Sequence, residues 1–149
     1  MKTSLVQLFI RDIEKLQKEI QLYSKDEIFW KIDNDIKNSA GNLAIHIVGN
    51  LNHFIGATLG KSGYIRQREK EFNDKNISRK LIIEQLDALK ITIEKVILRL
   101  KENDLSDEYP INVFKKESMT TEYFLIHLFG HLNYHLGQIN YHRRLMDKC

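Results

Sequence analysis

Apolar residues recur at three- and four-residue steps in four separate stretches of the chain, and nowhere do they alternate at every second position for the length of a strand. Leu5, Leu8, Phe9, Ile13, Leu16 and Ile20, with charges between them, predict an amphipathic helix over about residues 4–23. A second helix is expected after Ser39, a good N-cap, running through Leu43, Ile47, Val48, Leu51, Phe54 and Ile55 to the glycines at 60 and 63. The third begins after Ser78 and carries Leu81, Ile82, Leu86, Leu89, Ile93, Val96, Ile97 and Leu100, stopping before Asn103-Asp104. The fourth starts after Ser118 or Thr120 and carries Phe124, Leu125, Leu128, Leu132, Leu136 and Ile139 toward Arg143-Arg144, whose charges suit the carbonyl end of a helix. The pattern predicts an all-α fold, a four-helix bundle formed by residues 1–149 as one domain. The connections, about 24–38, 61–77 and 104–118, exceed the roughly two to eight residues usual between bundle helices. Long connections in a small bundle often cover a site, and they also admit crossover topologies.

A chain of 149 residues buries about two-thirds of its unfolded surface, so neither a disulfide nor a metal is needed for folding. The net charge is only +3, and acids and bases interleave in Arg66-Gln67-Arg68-Glu69-Lys70-Glu71. That run reads as a solvated face, and nothing indicates a nucleic-acid partner. No apolar run approaches the roughly 20 residues of a membrane span. The apolar start, Met1 to Ile10, meets Arg11-Asp12 without a cleavage site, so a cytoplasmic protein without a signal peptide is expected. Cys149, the single cysteine, cannot form an internal disulfide, which fits a reducing compartment, and its position at the chain end makes it a poor nucleophile candidate. Glycines at 49, 56 and 60 would let the second helix pack closely against a neighbouring helix or a partner copy, which leaves a homodimer open. Trp30, Tyr134 and Tyr141 read as packing residues.

All six histidines fall in the second and fourth helical segments. At 100° per residue, His127, His131, His135 and His142 occupy an arc of about 80° beside the leucine stripe. His46 and His53, seven residues apart with Asn50 between them, are nearly eclipsed on the second helix. Histidines at i and i+4 stand over one turn, the spacing by which a helix chelates a metal, and both His127/His131 and His131/His135 satisfy it. A third nitrogen from a facing helix would complete a tight, partly open site, and His46 or His53 can supply it. The plainer alternative is a set of core-edge histidines, each satisfied by its own hydrogen bonds.

The stretch His127-Leu-Phe-Gly-His131-Leu-Asn-Tyr-His135-Leu-Gly-Gln138-Ile resembles the last-helix signature of the DinB-like proteins, and Asn42-Leu-Ala-Ile-His46-Ile-Val-Gly-Asn-Leu resembles their second helix. The segment Arg66 to Phe72 is similar to a charged stretch in one branch of that family. The resemblance implies one divalent ion, nickel or zinc, held by His46, His131 and His135, with His53 and His127 nearby. It also implies transfer of a low-molecular-weight thiol of the bacillithiol type to an electrophilic small molecule, a bound cation favouring thiolate. Asn50 and Gln138 are then candidates for hydrogen bonds around the ligands, and Arg66 or Arg68 for holding an anionic substrate. Two alternatives stand beside this one. A metal-dependent hydrolase would want an acidic base, and Glu122 and Asp147 lie off the histidine stripe. A non-catalytic, stress-related module would use the ion only to pin helices together.

Overall fold

A computed structural model of the chain describes residues 1–115 and 118–148; Cys149 lies outside them. The described chain is all-α. Its helices are α1 (Lys2–Leu22), α2 (Asp26–Phe29), α3 (Ala40–Leu51) continuing into a π-helical segment (Asn52–Leu59), α4 (Arg68–Asn73), α5 (Arg79–Arg99), α6 (Glu102–Ser106) and α7 (Thr121–Met146). The four long elements are those the apolar periodicity predicts. The three connections contain short helices that were too brief to leave a periodic signature.

Capping hydroxyls set the starts. Ser39 accepts from the Asn42 N–H, Ser78 from Leu81 and Thr120 from Tyr123, each satisfying an amide that the first helical turn leaves unpaired. Of the two candidate starts for the last helix, Thr120 is the cap. On α5 the residues Ile82, Leu86, Leu89, Ile93 and Ile97 form a fully buried stripe, and Leu81, outside that spacing, is exposed. α1 contributes Phe9, Ile13, Leu16 and Ile20, and α7 contributes Phe124, Leu125, Leu128, Leu132 and Ile139. α1 packs against α5 and α7, and α3 packs against the same two, so the four long helices enclose one apolar core. Trp30 belongs to that core and lies over Gly41, where a Cβ would stand 2.6 Å from the indole.

The second long helix does not keep α geometry to its end. From Asn52 it widens, and the Gly60 N–H donates to Ile55 O, five residues back, at 3.0 Å. Side chains serve carbonyls in this wider turn: Thr58 Oγ1 donates to His53 O at 3.0 Å and Tyr109 Oη to Phe54 O at 2.7 Å. The glycines of this helix face the chain itself. A Cβ at Gly49 would stand 2.8 Å from Glu71 Cδ, at Gly56 3.3 Å from Thr92, and at Gly60 would collide with Val96. Their small size is therefore used by internal neighbours. Tyr134 and Tyr141 depart from expectation: each is 64% exposed, on the outer side of α7 rather than in the packing. Among the described residues no helix is long and apolar enough to cross a membrane.

Candidate metal centre

Asn42, one turn into α3, donates through Nδ2 to Glu71 O at 3.0 Å and to Asp74 O at 2.9 Å, which docks α4 along α3. One turn further on, His46 is buried between α4 and α7. Its Nε2 lies 3.3 Å from His131 Nε2, and His135 Nε2, one turn along α7, lies 3.0 Å from the same atom. The three rings meet edge to face. With ion–nitrogen bonds of about 2.0–2.1 Å, ligand nitrogens separated by 90–110° stand about 2.8–3.4 Å apart, so these two separations suit a shared ion. The three residues offer ligand atoms that all lie within 4.8 Å of one another.

Proton bookkeeping strengthens the geometry. His46 Nδ1 lies 3.3 Å from Glu71 Oε1, and His135 Nδ1 lies 2.7 Å from Gln138 Oε1. Arg66 Nη2 also lies 3.4 Å from His46 Nδ1, but that donor is engaged more closely by Glu71 Oε1 at 2.7 Å. The carboxylate and the Gln138 oxygen are the acceptors, so in the neutral rings both Nδ1 atoms carry the hydrogen and both Nε2 atoms present a lone pair to the centre. His131 Nε2 carries at most one hydrogen and cannot satisfy both. A cation would accept all three lone pairs. Burial, followed by the positive charge of His135, His46, His127 and Arg66, pushes His131 down to about 4. Burial also lowers His135, partly offset by its bond to Gln138. These two imidazoles are neutral at pH 7, the form a metal requires.

The charge run after the second helix is not the uniformly solvated face that its composition suggests. Arg68, Glu69 and Lys70 are exposed, Arg68 lying over the Phe72 ring, but Glu71 is 3% exposed and Arg66 is largely covered. The Arg66 guanidinium grips the Glu71 carboxylate through Nε at 3.0 Å and Nη2 at 2.7 Å. Burial alone would raise the Glu71 pKa; hydrogen bonds from His46 and Arg66 outweigh it and hold the carboxyl below its ordinary value. Sequence reasoning missed Glu71 because nothing in an alternating run of charges marks which member turns inward. The faint signal was Gly49, a small residue three positions after His46 that leaves room for a foreign side chain.

The other histidines separate from the three. His53 lies in the π segment, half-buried and edge-on to Phe54, so α-helical arithmetic from His46 does not carry to it. Burial, then Arg66, lowers its pKa. His127 is exposed, stacked on Phe124 and edge-on to Phe114 at the border of the centre. His142 is a core histidine of the plainer kind. Its Nε2 donates to Lys31 O at 2.8 Å, which leaves Nδ1 to accept from Tyr23 Oη at 2.8 Å. Asn50 is buried and its Oδ1 has no partner among the described residues, whereas Gln138 bonds a histidine directly.

These features define a helical protein of the DinB-like fold. A DinB-like protein from Bacillus cereus superposes with a TM-score of 0.73 at 21% identity, over 95% of this chain and 89% of that one. A conserved protein from Enterococcus faecalis gives 0.76 at 17% identity, over 98% and 96%. The chain itself belongs to the family described as protein of unknown function DUF1572, whose pattern it matches over residues 3–148. No curated protein is significantly similar in sequence.

Proposed function

We propose that the protein binds one divalent transition-metal ion, of the nickel or zinc kind, through His46, His131 and His135, and transfers a low-molecular-weight thiol to an electrophilic small molecule. The observation that carries the metal is the convergence of three Nε2 atoms, two of them with their hydrogens committed elsewhere. An ion held by three neutral imidazoles supplies Lewis acidity and favours thiolate near neutral pH. His131 and His135 are only partly buried, which leaves the α7 side of the centre accessible to a small molecule. Phe114 and His127, backed by the buried Phe124, form an aromatic border beside His131 that suits the apolar part of a substrate. In the transfer, sulfur forms the new bond to carbon, the leaving group takes its electron pair, and the thiol proton passes to solvent.

A hydrolase gains nothing from Glu71. That carboxylate is engaged on the Nδ1 side of His46 and by Arg66, away from the side where the three Nε2 atoms meet.

The test is metal content after equilibration with nickel or zinc, followed by assay against a panel of thiols and electrophiles. One ion per chain, lost in His131→Ala, and turnover lost in His135→Ala are expected. A loaded protein inactive with every thiol overturns the transfer; a protein that takes up no ion overturns the centre as well.

A further inference from the structure

The metal-facing nitrogens account for the histidines but not for the buried ion pair behind them. Glu71 is 3% exposed, and a carboxylate removed from water in this way is strongly penalised unless its oxygens are well paired. Its pairing is elaborate. Arg66 Nε reaches both oxygens, at 3.1 and 3.0 Å, Arg66 Nη2 reaches Oε1 at 2.7 Å, and His46 Nδ1 stands 3.3 Å from that same Oε1, closer than the 3.4 Å that separates it from Arg66 Nη2. Gly49 supplies the space, since a Cβ there would stand 2.8 Å from the carboxylate carbon. Docking α4 onto α3 does not require this arrangement. Asn42 already does so through the Glu71 and Asp74 carbonyls.

We infer that Glu71, braced by Arg66, is a positioning residue for the trihistidine centre: it holds the His46 hydrogen on Nδ1 and so fixes the ring with its Nε2 lone pair toward His131 and His135. The inference rests on the metal centre proposed above. A carboxylate behind a ligating imidazole fixes its tautomer and raises its basicity, and loss of such a partner costs about 10- to 100-fold in metal affinity. Gln138 plays the uncharged counterpart for His135. The two α7 ligands are set by one helix, whereas His46 comes from another element. It is this outlying ligand that carries the charged brace.

Two measurements test the idea. The first needs no metal: nitrogen-15 NMR of the metal-free protein reads the His46 tautomer directly. Hydrogen on Nδ1 is expected, shifting to a mixture in Glu71→Gln; hydrogen on Nε2 in the unsubstituted protein overturns the brace whether or not the variant folds. The second is zinc affinity by competition with a chelator, set beside urea unfolding of the metal-free forms. Glu71→Gln should bind about 10- to 100-fold more weakly, while Asn42→Ala, which loosens α4 without touching the imidazole, keeps the tautomer and loses less affinity for the same loss of stability. Equal affinity losses at equal stability loss would reduce Glu71 to a staple and overturn the proposal. If the unsubstituted protein binds no zinc, the centre itself fails, and the tautomer result still decides the brace.

Discussion

Gly49 and Glu71 occupy one space: the missing side chain of the first is where the carboxylate of the second lies, 2.8 Å from the position a Cβ would take. Glycine inside a helix ordinarily costs about 0.5–1 kcal/mol relative to alanine. At Gly49 that cost is offset by what the gap admits. Gly49→Ala should displace Glu71 and leave the His46 Nδ1–H and the Arg66 guanidinium without their partner, a loss of about 1–3 kcal/mol that outweighs the gain in helix propensity. A net destabilisation near 1–2 kcal/mol in urea unfolding is expected. Gly137, with nothing within 4 Å of its added Cβ, should show the opposite sign, Gly137→Ala gaining about 0.5–1 kcal/mol. Stabilisation by both substitutions would contradict this account.

The buried histidines make the metal-free fold sensitive to acid. His131 is held down to about 4, and His135 and His142 are also lowered from 6.5, burial being the first cause in each. A base with a depressed folded pKa leaves the unfolded chain holding more protons. The stabilisation is therefore complete above about pH 6.5 and drains away as pH falls toward the folded values, at about 1.4 kcal/mol per pH unit for each histidine. Urea unfolding at stepped pH between 7 and 5 should show a slope above one proton, and a shallower one in His142→Gln. A flat profile would mean that these imidazoles are not neutral in the folded protein.

An ion bound only by the folded chain stabilises it by about 2.7 kcal/mol when free metal is 100 times Kd. Thermal melting with added nickel or zinc should therefore rise with concentration. The rise should vanish in His46→Ala as fully as in His135→Ala, although the two residues sit on different helices. A rise that survives either substitution would point to binding elsewhere.

Tyr109 serves the widened helix. Its hydroxyl is the side-chain partner of the Phe54 carbonyl at 2.7 Å, and Tyr109 itself is 2% exposed. Tyr109→Phe keeps the ring and leaves that carbonyl without its donor, so a loss of about 1–3 kcal/mol is expected in chemical denaturation. No loss would show that water replaces the hydroxyl.

The long helices were legible because burial imposes a period, and Ile82, Leu86, Leu89, Ile93 and Ile97 repeat it without interruption. The convergence of His46 with His131 and His135 was legible only with the family resemblance, since spacing alone admitted His53 and His127 equally. Two things were hidden for a physical reason. The π segment has carbonyls met by tertiary hydrogen bonds such as Tyr109 to Phe54 O, which no local pattern announces. Glu71 is buried by contacts made across 25 residues of chain, and an acid in a mixed-charge run looks the same whether it faces water or an imidazole.

The three histidines proposed as ligands divide unequally, one from α3 and two from a single turn of α7. An ion seated there would rivet two helices, and although a small molecule can reach it from the α7 side, its full release needs His46 on α3 to part from His131 and His135 on α7. Residence time would then be set by how often α3 and α7 part, and removal by a chelator should reach a limiting rate that adding more chelator does not increase.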